Sequence, residues 1–235
     1  LPAELQAQGA VFETVAEEAT LNERVAKLLA AGNVVGRVQG RMEFGPRALG
    51  ARSILGDPRN PDMQRVMNQK IKFRESFRPF APMVMAEHAA DYFDISPETE
   101  SPYMLIVAPV KESQRRPPAD AAAGLEQASQ ARSTLPAITH VDYSARVQTV
   151  DPTRSPELHR LLQAFAAETG CHVLINTSFN IRGEPIVCTA QDAYRCFMAT
   201  DMDVLVIENI IMLKTDQPSE SVDEKTAYLA RFGND

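Results

Sequence analysis

The chain has no tryptophan, and only three cysteines and four histidines among 235 residues. Each shortage removes a class of explanation. Cys171, Cys188 and Cys196 are odd in number and widely spaced, with neither a CxxC nor a zinc-type pattern, so they read as reduced thiols. His88, His140, His159 and His172 are equally scattered, and no metal site is expected within this stretch. No apolar run approaches the roughly 18 residues that a membrane helix needs. No charged-then-apolar leader opens the chain, whose first residue is Leu1 rather than Met. No internal repeat is evident. The expectation is a soluble piece of a cytoplasmic protein, with enough apolar residues (44%) to bury a sizeable core.

What is present is an unusual distribution of charge. The formal net charge is −7. Yet between Arg37 and Arg78 ten arginines and lysines face only Glu43, Asp57, Asp62 and Glu75. The rest of the chain holds 14 basic residues against 27 acidic ones. Local basicity in an acidic protein implies a small, focused anion site. A broad nucleic-acid stripe normally comes with a basic domain, so a nucleic-acid partner is not expected.

Strand-like and helix-like segments alternate. "TLNERVAKLLAAGN" has the spacing of a capping box, Thr20 with Glu23, then a helical apolar stripe and a stop at Gly32. "VVGRVQG" and "RSIL" read as strands on either side of a Gly/Pro loop, "EFGPRALG". A helix is expected from about Pro61, strands at "FAPMVMAE" and "SPYMLIVAPV", and a short helix at "HAADYF". Residues 111–136 are rich in Ala, Gln, Ser and Pro and read as a mobile surface insertion. "AITHV" and "ARVQTV" read as strands. "SPELHRLLQAFAAETG" reads as a helix capped by Ser155, with Pro156 in its first turn and Gly170 at its end. "HVLINTSFN" is a buried strand entering a polar loop, "TAQDAYRCFMAT" a helix, and "DVLVIENIIMLK" a closing strand or hairpin. The fold class is α/β with a mixed sheet.

Four blocks carry possible chemistry. In "GRMEFGPRALGARSIL" glycines let backbone approach a ligand, and Arg47 and Arg52 offer planar forks for phosphate or carboxylate. The competing reading is a loop stapled by arginine to a nearby acid. "KIKFRESFRPFAP" alternates cations with aromatics, with Glu75 available to hold an arginine; a solvated charge run remains the alternative. In "HVDYSARVQTV", Arg146 projects either into a cleft or toward an ion-pair partner. "INTSFNIRGEPIV" places Asn176, Thr177, Ser178 and Asn180 at a strand-to-loop end, where α/β sheets put ligands. No G-x-S-x-G elbow surrounds Ser178, so it reads as a phosphate-bonding hydroxyl rather than a nucleophile. Several cations, a few hydroxyls and no general base suit phosphate or acyl-phosphate chemistry, in which charge neutralisation and positioning do most of the work.

Those four blocks, in that order, with the tail "DMDVLVIENIIMLK", resemble the C-terminal domain of the NodU/CmcH-type O-carbamoyltransferases over about residues 33–214. The resemblance implies a YrdC-like twisted open sheet with flanking helices and a basic groove. It implies binding of carbamoyl phosphate and ATP, with Mg²⁺ accompanying the ATP, and formation of carbamoyl-adenylate. Transfer to an acceptor hydroxyl would then occur in an N-terminal ASKHA-like domain, which carries the family's metal site. It implies that Arg47 belongs to the carbamoyl-phosphate site, that Lys72 and Arg78 grip the phosphate, and that Arg146 and Ser178 are further site residues. Arg52, Asn176, Thr177 and Asn180 would shape the nucleotide or its supporting loops. The implied layout is a linker and lead-in helix at 1–32, the domain at 33–215 and a tail at 216–235. Tyr143-Ser144 stands where members more often have Gly-Thr. The tyrosine is expected to narrow the cleft mouth and alter nucleotide preference.

Two other functions fit parts of the pattern. A YrdC-type enzyme would make threonylcarbamoyl-adenylate from bicarbonate and threonine, but "GPRALG" and "NTSFN" favour the carbamoyltransferase. An RNA-binding module would stack bases on Phe73, Phe77 and Phe80, against the repulsion of the acidic remainder.

Overall fold

The computed structural model describes residues 1–116, 131–219 and 222–232. Nine strands run β1 Glu13–Thr14, β2 Val35–Val38, β3 Arg52–Gly56, β4 Ala81–Met85, β5 Ile106–Pro109, β6 Ser144–Val150, β7 Val173–Ser178, β8 Val204–Ile207 and β9 Ile210–Leu213. The helices are α1 Pro2–Gln6, α2 Glu18–Ala30, α3 Met63–Lys70, α4 Ala89–Tyr92, α5 Pro156–Thr169, α6 Ala190–Ala199 and α7 Val222–Ala230. The strands form one open sheet in the order β1-β9-β8-β2-β3-β7-β4-β6-β5. It is parallel at β2–β8 and β4–β6 and antiparallel at its other junctions. This is the α/β mixed sheet that the alternation of segments implies, and it is open, as the family resemblance implies.

Alternation along β2 assigns its two faces. Val35 and Arg37 look toward Leu21 and Val25 of α2 and Leu161 of α5, while a side chain at Gly36 would strike Phe179 and Met202. The α2–α5 pair therefore covers one face. On α5 the sequence signals hold in part: Pro156 opens the helix and Gly170 ends it at φ +72, but the Ser155 side chain makes no cap bond. The capping box observed is elsewhere, at Thr189 and Asp192, where each side chain satisfies the other's backbone N–H at the start of α6.

Three local expectations change. Helix α2 starts at Glu18, so Thr20 lies inside it and caps nothing; the earlier start lets Glu18 pair with Arg160 of α5 at 2.9 Å. "AITHV" is not a strand: Pro136–Ile138 is a single 3₁₀ turn, and Thr139 bonds the Ser133 hydroxyl. Residues 1–32 do not form a linker, because β1 pairs with β9 and Leu5, Val25 and Leu29 are buried in the common core. Most of the expected insertion lies outside the described residues. Its two ends are held together by a bridge between Arg115 and Ser133. No helix among the described residues is long and apolar enough to cross a membrane.

Candidate active site

Strand β7 runs from the core to a polar end. Val173, Leu174, Ile175 and Asn176 are buried, and Thr177 and Ser178 follow half-buried at the strand end. There they meet the start of β6, the entry to β4 and the loop before β3. Together these line a cleft of about 600 Å³ that includes Arg47, Arg74, Arg78, Arg146, Asn176, Thr177 and Ser178. A recess of about 390 Å³ shares Arg74, Arg78, Thr177 and Ser178 with it and adds Lys72, Asn180 and Arg182. Four blocks far apart in sequence thus converge on one place.

The electrostatics are those of uncompensated cations. Arg74 is pushed down to about 10, by burial first and by Arg78 second. Arg146 is lowered by burial and then by Arg47. Lys72 is pushed down to about 7 by burial, with Arg74 next. In all three a neighbouring cation adds to the effect, so the groups crowd one another and lack full compensation by acids. The side chains of Arg47 and Arg78 make no hydrogen bond or ion pair among the described residues. Two polar atoms of cleft residues, Asn176 Oδ1 and Arg146 Nε, are buried without a partner, as is Ser53 Oγ, whose residue pairs with Ser178 across the sheet. Buried polar atoms are nearly always paired, so this set fits a site that takes a polar, anionic ligand.

Not every expected residue faces the cleft as a ligand. Arg52 does not. It is buried, and its guanidinium donates to the carbonyl oxygens of Cys188, Gln39, Ala51 and Gly40 at 2.9–3.2 Å. It knits loops together, the second of the two roles expected of it. Lys72 reaches the recess, but its ammonium is surrounded by the Ser178 carbonyl at 2.5 Å and the Asn180 carbonyl and Oδ1 at 2.8 Å each. It holds the loop after β7. Tyr143 does not line the cleft: its ring lies under the Arg115 guanidinium, 5.1 Å from centroid to carbon, while Ser144 is the residue at the cleft wall. Beyond the block "GRMEFGPRALGARSIL", Arg59 pairs with Asp57 and Arg65 with Asp62. Of the three phenylalanines that a base-stacking surface would use, Phe80 is buried beneath Arg74, whereas Phe73 and Phe77 are exposed.

Arg74 lines both cavities, although the motif match picks out its neighbours Lys72 and Arg78. Alternation within the segment puts Lys72, Arg74 and Arg78 on one side, and all three line the recess. One further residue escapes the sequence. Gln148 of β6 accepts from Asn176 Nδ2 at 2.6 Å and donates to the Leu49 carbonyl at 2.7 Å. Nothing in the local sequence marks that bridge.

For a nucleotide-borne Mg²⁺ the donor set is informative. The described residues include no group of three or more His, Cys, Asp or Glu able to hold a metal. A Mg²⁺ carried on a nucleotide's own phosphates would need no such cage.

Residues 26–214 match the family model described as carbamoyltransferase C-terminus. An uncharacterised protein of Synechocystis is 59% identical over 219 residues, which are 92% of this chain and 35% of that one. The 3'-hydroxymethylcephem-O-carbamoyltransferase of Amycolatopsis lactamdurans is 42% identical over 171 residues, 73% of this chain and 29% of the enzyme. Among solved structures, a full-length HypF in a phosphate- and nucleotide-bound form superposes with a TM-score of 0.52 at 17% identity, over 81% of this chain and 25% of that one. That likeness is one of fold. The chain spans about a third of the length of these sequence relatives.

Proposed function

Because the chain belongs to the carbamoyltransferase C-terminus family, we propose that its cleft binds carbamoyl phosphate and ATP and forms carbamoyl-adenylate. The observation that carries this reading is the convergence of Arg47, Arg74, Arg78 and Arg146 on one cleft without full compensation by acids. Two polyanions cannot be brought together in water without such neutralisation, and each charge-assisted hydrogen bond contributes roughly 1.5–3 kcal/mol.

The chemistry balances as two steps. Water cleaves the acyl phosphate to carbamate and inorganic phosphate. A carbamate oxygen then attacks the α-phosphorus of ATP, and the bond to the β-phosphate oxygen breaks to release pyrophosphate. The arginines hold the phosphate oxygens, with bidentate geometry available to each guanidinium. Thr177 and Ser178 present hydroxyls to the same space. Any Mg²⁺ would arrive on the nucleotide and shield its β- and γ-oxygens.

Transfer to an acceptor hydroxyl is assigned, in the same proposal, to an ASKHA-like domain of the longer polypeptide acting in the cytoplasm. The acceptor belongs to that domain. The test is incubation of this protein with ATP and carbamoyl phosphate, following pyrophosphate and an AMP-linked product. Pyrophosphate release that requires both substrates is the expected result. Release with bicarbonate and threonine in place of carbamoyl phosphate would instead identify a threonylcarbamoyl-adenylate synthase.

A further inference from the structure

The loop that presents Arg47 has two parts. Residues 48–52 are fixed at nearly every backbone polar group. The carbonyl of Ala48 accepts from Asn176 Nδ2 at 3.0 Å, that of Leu49 from Gln148 Nε2 at 2.7 Å, and that of Gly50 from Arg37 Nη1 at 2.5 Å. The Ala51 carbonyl accepts from the Gln39 backbone at 3.0 Å. Residues 44–47 make no hydrogen bond among the described residues, and Phe44 is fully exposed. Glu43 joins the two parts. Its Oε1 accepts from the Leu49 and Ala51 backbone N–H groups at 2.8 Å each, and its Oε2 from Arg52 N–H at 3.2 Å.

We propose that Glu43 is a positioning residue for the anion cleft: its carboxylate closes the loop on itself and so fixes the base from which Arg47 reaches the ligand. An acid beside a cationic cleft would ordinarily oppose anion binding. This one has its oxygens turned onto three backbone donors, so its charge is absorbed locally. It ties residue 43 to residues 49–52, and the tip that carries Arg47 is left as a short closed loop with little conformational freedom to lose when a ligand binds. The proposal rests on the reading of the cleft as a phosphate site, but not on the identity of the acyl group.

The two roles open to Glu43, clamp and charge, predict opposite signs. Calorimetry with inorganic phosphate and with carbamoyl phosphate on wild type, Glu43→Ala and Glu43→Gln separates them. As a clamp, Glu43→Ala weakens binding of both anions about tenfold or more. Glu43→Gln loses less, because its single amide oxygen can still accept from Leu49 and Ala51. In an Arg47→Ala background, Glu43→Ala then adds little, since it acts through Arg47. Tighter binding in both variants would show that charge alone matters and overturn the proposal. So would a full additional loss in the Arg47→Ala background. If Glu43→Ala fails to fold, Glu43→Gln and its combination with Arg47→Ala give the same discrimination. Wild type that binds these anions but makes no pyrophosphate overturns the adenylate reading alone, whereas no binding of either anion overturns both.

Discussion

Lys72 Nζ lies 2.5 Å from the carbonyl oxygen of Ser178, 106 positions further along the chain. With both Asn180 oxygens at 2.8 Å, the ammonium has three close acceptors for its three N–H bonds. It is the tie that holds the loop after β7 beside the cleft.

That burial has a pH signature. Burial pushes Lys72 from 10.5 down to about 7 in the fold. Between those values the unfolded chain binds more protons than the folded one, so this group's contribution to stability rises with pH from about 7 to about 10.5. Below pH 7 the full penalty of the buried charge is present. The urea midpoint of wild type minus that of Lys72→Met should therefore rise as pH climbs from 6 to 10. A constant difference would mean that Lys72 stays protonated throughout.

Arg47 and Arg78 stand at the other extreme, exposed and with no hydrogen-bond or ion-pair partner for their side chains among the described residues. Their removal should leave the fold intact. Arg47→Ala and Arg78→Ala are each expected to weaken carbamoyl-phosphate binding by roughly 10- to 100-fold, the equivalent of one lost charge-assisted contact, with an unchanged circular dichroism spectrum and melting temperature. Arg78→Lys should remain impaired, because a point charge does not reproduce a planar fork. Arg52→Ala should do the reverse. It strips the donor from four carbonyl oxygens and should lower the melting temperature before it touches affinity. Equal affinities for wild type and the first two variants by calorimetry would remove those arginines from the site.

The contrast between these arginines shows what can be read from a sequence. Motif order singles out Arg47, Arg78, Arg146, Thr177 and Ser178, and the fold brings these five to line one cleft, from loops and from strand starts and ends. The strands themselves are legible wherever β-branched runs meet Gly or Pro. For Arg52 the sequence leaves two roles open, and what selects loop support is the Cys188 carbonyl, 136 positions away, with two loops that fold back over it. The acceptors of Lys72 are as distant: they belong to β7 and the loop that follows. β1 is two residues long and exists only because β9 offers an edge. Local pattern locates these groups, but tertiary hydrogen bonding decides which cations remain free for a ligand.

Helix α6 tests a local feature at small scale. Thr189 accepts from Asp192 N–H at 3.1 Å, and Asp192 accepts from Thr189 N–H at 3.0 Å. Thr189→Ala removes one half of that exchange. The expected loss is about 1 kcal/mol, or a melting temperature lower by roughly 2–4 °C in a domain of this size. Carbamoyl-phosphate affinity should not change, since neither residue lines the cleft. Thermal denaturation of Thr189→Ala beside Thr189→Ser, which retains the hydroxyl, separates the cap from simple loss of a side chain.

Gly50 joins stability to function. Its φ is +122°, a region closed to most side chains, and a Cβ built there would lie 2.4 Å from Leu158 Cδ2 on α5. Gly50→Ala therefore meets two separate obstacles, backbone strain of about 1–3 kcal/mol and a clash with a core leucine. Its carbonyl also receives the Arg37 bond, so a displaced Gly50 shifts the base of the Arg47 loop. Gly50→Ala should lower the urea midpoint and weaken anion binding together. Adding Leu158→Ala removes the clash but leaves the strained φ, and makes a cavity of its own. Loop displacement by the clash should therefore ease in the double variant, with affinity for inorganic phosphate partly restored while stability stays low. Unchanged affinity in Gly50→Ala beside a lowered urea midpoint would show that Gly50 serves packing alone and that the cleft does not depend on this loop's position.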